Sequence, residues 1–409
     1  MNYSYPLDKF TSFIRQQQSL LEQGSDMFLR ELNEAIPGYS EENRLISKAL
    51  DFSLPQMLKA EAIGHNAEQL VEKFMQPLTL KFGISENEAQ WLIITWASAL
   101  QLIENRISIE ARPLTEEELK NKAKIWKSIK PLWKEILQEH LDCSITETNF
   151  EALARLHHLH KINCSERKVT DLEALALTPY LTELSIEHTL IEDLSPLQNL
   201  PFLQVLDVDE TKISSLAPLK KLKNLKRLSF SYTKVHNLEP LADCTELEVL
   251  EFWNTKVSSL APLSALRKIQ SLYCCETSVS TLEPIKDWKA LKKLYCFLTP
   301  ISSLLPLREL ENLEELDISN TNVDSLEPLR RLSKLRTLNC SSTKVTSLEP
   351  IENCLQLENL YFGENDIASL HPLRNLKQIK EINWAKTLIT KSEKDLFIKN
   401  NPHCKVASG

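Results

Sequence analysis

A period governs this chain. Written in rows of 22, the residues from Leu159 to Ile389 fall into register without a gap. One column runs Thr189, Thr211, Thr233, Thr255, Thr277, Thr299, Thr321, Thr343, Asn365 and Thr387. Two residues on, a column of Ile and Val runs from Ile191 to Ile389, and a third column holds proline from Pro196 to Pro372. A degenerate first copy begins near Leu159, with Arg167 in the Thr column and Ala174 in the Pro column. Self-similarity at a fixed short period means one small unit, unable to bury its own apolar side, stacked until its neighbours do so.

The unit can be read from Leu181 to Phe202, LTELSIEHTLIEDLSPLQNLPF. Leu184 and Ile186 stand two apart, so a strand puts both on one face, while Glu183, Ser185 and Glu187 point the other way. The later apolar positions, Ile191, Leu194, Leu197 and Leu200, are too irregular for a long helix, and Pro196 removes a donor among them. A short 3₁₀ or extended return is expected. The Thr column is expected to supply hydroxyls to backbone groups where the chain leaves the strand.

The motif LxxLxLxxTxIxxLxPLxxLxx resembles bacterial leucine-rich repeats, most closely the 22-residue internalin type with its Thr-x-Ile and Pro-Leu columns. The resemblance implies an α/β solenoid: a right-handed horseshoe of about eleven units with a parallel sheet on its concave face, used to bind other macromolecules and not for catalysis. Asn365 alone keeps the Asn that many such repeats carry in the Thr column. The horseshoe is preceded by an all-α domain. The expected organisation is a helical bundle over 1–110, a helical collar capping the first repeat over 111–158, repeats over 159–390, and a cap helix with tail over 391–409. Ser85 with Glu88, Thr115 with Glu118, and Thr390 with Glu393 read as capping boxes, and Leu396 and Phe397 are expected to fold back onto the last repeat. The stretch AEQLVEKFMQPLTLKFGISENEAQWLIITWASALQLI loosely resembles a small helical module appended to other bacterial domains.

Composition narrows the function. There are six glycines, five of them (Gly24, Gly38, Gly64, Gly83 and Gly409) outside the repeats, so no glycine-rich phosphate cradle exists and no nucleotide cofactor is expected. A net charge of −8 argues against a general nucleic-acid binder. No run approaches 18 apolar residues, and MNYSYPLDKFTSFIRQQQ is no secretion leader, so a bacterial, cytoplasmic location off the membrane is expected. Nine cysteines without paired spacing fit reduced core packing.

The outward strand positions form a grid of mostly polar residues. Its middle is not polar: Trp253, Tyr273, Tyr295 and Phe297 face outward, with Cys275 between Trp253 and Phe297, Tyr232 and Leu298 at the strand edges, and Tyr361 three copies on. Clustered outward aromatics are expected to anchor a protein or peptide partner, against the alternative of cross-strand packing that only stabilises the sheet. Outward Glu183, Glu187, Asp207, Asp209, Glu251, Glu315, Asp317 and Glu381 outnumber Lys161, Arg227 and Lys293, which favours a basic partner segment over nucleic acid. His157, His158, His160 and Cys164 lack a second spaced ligand pair, so no metal is expected. Two rival functions remain: a purely structural spacer, and a cysteine-dependent ubiquitin ligase acting through Cys143, to which some bacterial leucine-rich repeat effectors are similar. For the ligase, the Cys-x-Asp pattern is missing, since Ile145 follows Cys143 by two.

Overall fold

The computed structural model describes residues 114–407 continuously and, before them, residues 30–34, 46–47, 49–50, 54–61, 67–82, 89, 92–93 and 96. The chain divides into two compact units, Met1–His160 with Ala176–Leu181, and Lys161–Leu175 with Thr182–Gly409. The Ser85 capping box and the boundary near Pro113 lie outside the described residues.

The first unit is helical: α1 (Leu54–Glu61), α2 (Ala67–Phe82), α3 (Glu116–Ser128), α4 (Pro131–Leu141) and α5 (Phe150–His157). Thr115 caps α3 through a complete capping box with Glu118. Pro131 divides α3 from α4 by occupying the first turn of the latter, where its missing N–H costs nothing. Trp126, Trp133, Ile136, Leu137, Leu153 and Leu156 form the buried side of α3, α4 and α5. Lys122 is only 6% exposed. Its Nζ donates to the Leu177 carbonyl at 2.6 Å, and burial pulls its pKa down to about 8.

The second unit is one parallel sheet whose twelve strands lie in chain order. They are β1 (Lys161–Asn163), β2 (Glu183–Ser185), β3 (Val205–Asp207), β4 (Arg227–Ser229), β5 (Val249–Glu251), β6 (Ser271–Tyr273), β7 (Lys293–Tyr295), β8 (Glu315–Asp317), β9 (Thr337–Asn339), β10 (Asn359–Tyr361), β11 (Glu381–Asn383) and β12 (Lys405–Val406). Register follows the period: Leu184 pairs with Leu206, Leu206 with Leu228, and Tyr273 with Tyr295. Each return carries one 3₁₀ turn with proline in its first turn in nine coils, such as Ser195–Asn199 and Glu283–Ile285. This is a leucine-rich repeat solenoid.

Three columns explain the coil. Leu184, Leu206, Leu228 and their equivalents through Leu360 are at most 1% exposed, which removes an unbroken leucine stripe from water. The next inward column holds Phe230 and Phe252, stacked with centroids 5.4 Å apart, then the smaller Cys274 and Cys296. Between the strands bearing those two cysteines, Trp288 is wholly buried where other coils carry Leu or Cys, so small and large side chains alternate. The Thr column turns the corner: Thr189 Oγ1 donates to the Ile186 carbonyl at 2.8 Å, Thr299 Oγ1 to Cys296 at 2.6 Å, and Thr321 Oγ1 to Ile318 at 2.6 Å. Asn365 does it differently, with Nδ2 reaching back to the Cys340 carbonyl at 2.7 Å and Oδ1 accepting from Thr343 N at 2.7 Å.

Just before each Thr the backbone enters the left-handed region, with φ of 57° at His188, 56° at Tyr232 and 53° at Leu298. That turn aims the amide at the next coil and extends the inter-coil ladder past the strand: Tyr232 N donates to Trp253 O at 2.8 Å and Leu298 N to Ser319 O at 3.0 Å. At the far end Thr390 caps α6 (Lys391–Asn400). Phe397 packs edge-on against Trp384 with centroids 5.5 Å apart. Leu396 does not fold back as expected; it is 57% exposed. The tail expected after α6 instead supplies β12, which pairs with β11 and ends the ladder.

The Thr column yields a test. Replacing Thr299 by Val removes the donor to the Cys296 carbonyl and leaves that buried acceptor unmet, so urea unfolding should show a loss of about 1–2 kcal/mol.

Candidate functional site

The outward sheet face carries two parallel rows. The third position of each strand gives Ser185, Asp207, Ser229, Glu251, Tyr273, Tyr295, Asp317, Asn339 and Tyr361. Two residues on lie Glu187, Asp209, Ser231, Trp253, Cys275, Phe297 and Ser319. Strand alternation aims all of these away from the leucine core.

The structure brings four of the six expected anchors together. Tyr273 stacks on Tyr295 with centroids 5.0 Å apart, Trp253 tilts against Tyr273 at 6.2 Å, and Trp253 meets Phe297 edge-on at 5.7 Å. All four are half-buried. Trp253 and Phe297 stand two coils apart, a backbone separation of roughly 10 Å, so their rings lean toward each other over the intervening residue. That residue is Cys275, which points outward by the alternation rule but is 0% exposed. A small side chain there lets the two large ones close above it, and its burial pushes the thiol well above the usual range. Outward direction and accessibility therefore part company at Cys275. Tyr232 is 51% exposed on the edge beside the cluster, as is Leu298 at 50%, both in the left-handed conformation. Tyr361, three strands away on β10, is not brought to the cluster.

Electrostatics divides the face. Tyr295 Oη donates to Glu315 Oε2 at 2.6 Å and Lys293 Nζ reaches Glu315 Oε1 at 2.9 Å, so that carboxylate is satisfied. Glu183 pairs with Lys161 at 2.7 Å. Asp317 accepts from Ser319 Oγ at 2.7 Å and Asn339 Nδ2 at 3.0 Å. On the other side of the rings Glu187, Asp207 and Asp209 have no lysine or arginine partner among the described residues, and Glu251 has Arg227 at 3.8 Å. Burial, then the Asp207 charge, holds the Glu187 carboxyl above its ordinary range, and burial does the same for Asp207 and Glu251. Asp209 is pushed up to about 6 by burial and by Asp207 and Glu251, against the hydrogen bonds it accepts from Ser229 Oγ and Ser231 N.

The other residues weighed from sequence are otherwise engaged. The rings of His157 and His158 lie 4.7 Å and 6.4 Å from Tyr180, and His160 Nδ1 bonds the Tyr180 carbonyl at 3.0 Å. Cys164 is buried, and desolvation pushes its thiol up to about 12, which keeps it neutral. Cys143 is half-buried just past α4, with its amide bonded to Gln138 O at 3.3 Å. Among the described residues no helix is long and apolar enough to cross a membrane.

Comparison with known proteins agrees with this architecture. A leucine-rich repeat profile, Leucine Rich repeats (2 copies), matches residues 311–353. The internalin InlF of Listeria monocytogenes aligns with a TM-score of 0.60 at 20% identity, covering 70% of this chain and 92% of that one. A leucine-rich repeat protein of Leptospira interrogans aligns at 0.58 and 20% identity, covering 63% of this chain and 74% of that one. TLR13, solved in complex with a single-stranded RNA, aligns at 0.51 and 16% identity, covering 62% of this chain and 41% of that one. A comparison with curated protein sequences gave no match. The fold is thus that of the leucine-rich repeat solenoids. Within them its 22-residue coils are similar to those of the internalins.

Asp209 provides a test of the electrostatics. Its folded pKa lies above the usual unfolded value near 3.9, so its favourable contribution to folding is present below pH 4 and is lost as pH rises through about 6. Asp209→Asn keeps the acceptor oxygen and removes the charge. At pH 7.5 it should stabilise by about 1 kcal/mol, a figure reduced for the carboxylate's partial exposure. At pH 4 thermal melts should show almost no difference.

Proposed function

We propose that the chain is a non-enzymatic scaffold that recognises a protein or peptide on the concave face of its repeats. Leucine-rich repeat solenoids are interaction scaffolds, and the reading rests on one observation: four mutually packed aromatics stand where other coils, Tyr361 apart, carry polar or small side chains. Tryptophan and tyrosine bury much area at low entropic cost, and clusters of them dominate binding energy. The alternative, ring packing that only stiffens the sheet, gives no reason for Tyr232 and Leu298 beside the cluster. Both are large, exposed apolar residues in a conformation that costs such side chains about 1–2 kcal/mol.

The surplus of carboxylates supports a basic partner segment. Since TLR13 holds an RNA on a similar solenoid, it is the charge of this face and not its fold that speaks against nucleic acid. All nine cysteines are free, which supports a reducing compartment such as the cytoplasm. Against the ligase reading, the Cys-x-Asp pattern is missing around Cys143, whose amide bonds the Gln138 carbonyl.

The direct test is an affinity pulldown from the producing organism. A partner held by the wild type should be weakened at least about 30-fold by Trp253→Ala with Tyr295→Ala. A partner that survives the double change is anchored elsewhere. Leu298→Gly separates fold from function: it should raise unfolding stability by about 1 kcal/mol by relieving the left-handed leucine, yet weaken the same partner.

A further inference from the structure

Between the acids and the rings lies a notch. Its floor is β4 and the residues after it, where Ser229 and Ser231 follow the outward Arg227 at the strand edge. Asp207 and Asp209 wall it on the β3 side, and Glu251 and Trp253 on the β5 side. Adjacent strands lie about 4.8 Å apart, so the walls are roughly 10 Å apart, wide enough for one side chain to enter between them. The floor is rigid: Ser229 Oγ and Ser231 N donate to Asp209, and Ser231 Oγ accepts from Trp253 N at 3.2 Å.

Charge identifies the occupant. Elsewhere on the sheet face three outward glutamates have cations, in Lys161–Glu183, Lys293–Glu315 and Lys405–Glu381, and Asp317 is met by Ser319 and Asn339. Among the described residues no lysine or arginine comes within 4.0 Å of Glu187, Asp207 or Asp209. Glu251 has only Arg227, at 3.8 Å on the strand edge. Half-buried negative charge at Asp207 and Asp209 with no internal lysine or arginine, across from an indole, is the complement of a desolvated cation.

We propose that this notch receives a lysine or arginine side chain of the partner, so that the bound segment is basic over β3–β5 and apolar over β5–β7. The assignment rests on the concave face being the docking surface and adds orientation and chemistry to it. Burial is the main cause of the raised carboxyls, and neighbouring carboxylates add to it at Glu187, Asp209 and Glu251. Asp209 is faced by Asp207 on its own coil, by Ser229 and Ser231 on the next coil and by Glu251 one coil further; Glu210 follows it in the chain, and Glu187 and His188 lie on the preceding coil. Binding of the cation lowers these carboxyls toward their ordinary range, and protonation below pH 6 weakens binding.

The probe is a phage-displayed library of random 12-residue peptides panned at pH 7.5 on the whole chain. The selected peptides should be rich in Lys or Arg next to aromatic or aliphatic residues. Their affinity should fall at least tenfold in Asp207→Asn with Asp209→Asn, fall severalfold between pH 7.5 and 5.5, and rise severalfold in Arg227→Gln, which removes the competing internal cation. Loss of binding in the Asn variant cannot be unfolding if, as expected, that variant melts no lower than the wild type at pH 7.5. Peptides without basic enrichment, or indifferent to the Asn pair, overturn the notch; if Trp253→Ala with Tyr295→Ala still abolishes their binding, the docking face stands. Peptides indifferent to the aromatic pair as well, or no enrichment at all, overturn both.

Discussion

No single coil of this protein can bury its own leucine face. Everything else in the solenoid follows from that. A three-residue strand with one inward leucine gains nothing alone, but set in register it shares that leucine with the coil above and the coil below. The exact repeat of 22 keeps Leu184 under Leu206 and Leu206 under Leu228, and one slipped residue would turn every leucine to water. The Thr hydroxyls and the left-handed residues before them serve the same end, because they satisfy backbone groups at the corner where the chain leaves the sheet.

The same constraint creates the surface proposed for recognition. Packing dictates the inward residues and leaves the outward ones unconstrained, so whatever stands there is displayed in straight rows. In most coils those positions are serine, aspartate or asparagine. In three consecutive coils four of the six are aromatic, and the side-chain volumes across those coils fit one another: the small Cys275 permits Trp253 and Phe297 to meet above it. Beside them Asp207 and Asp209, on the β3 coil, lose water without a lysine or arginine at hand, and their carboxyls are raised by burial.

Much of this was legible in the amino-acid order because the period ties each position to a direction. Thr299 and its column, the 3₁₀ turns after each leucine, the break at Pro131 and the caps at Thr115 and Thr390 all follow from local rules. What stayed hidden depends on neighbours in space. Alternation told which way Cys275 points, but only the bulk of Trp253 and Phe297 decides that it is covered. Leu396 and Phe397 are adjacent apolar residues, and only the position of Trp384 selects Phe397 for burial. The strand β12 has no leucine pattern to announce it; it forms because an open sheet edge at β11 accepts any extended chain. The notch at Ser229 and Ser231 was equally invisible, since two serines mean nothing until acids and an indole stand on either side.

Hydroxyl-radical footprinting, read residue by residue by mass spectrometry with and without a bound partner, tests the central claim most directly. In the free chain Trp253, Tyr273, Tyr295 and Phe297 should be modified while Phe230, Phe252 and Trp288 stay inert. With the partner present the first four should be protected and Tyr361 left unchanged. Rings as unreactive as Trp288 in the free chain, or equally modified in both states, would contradict the account.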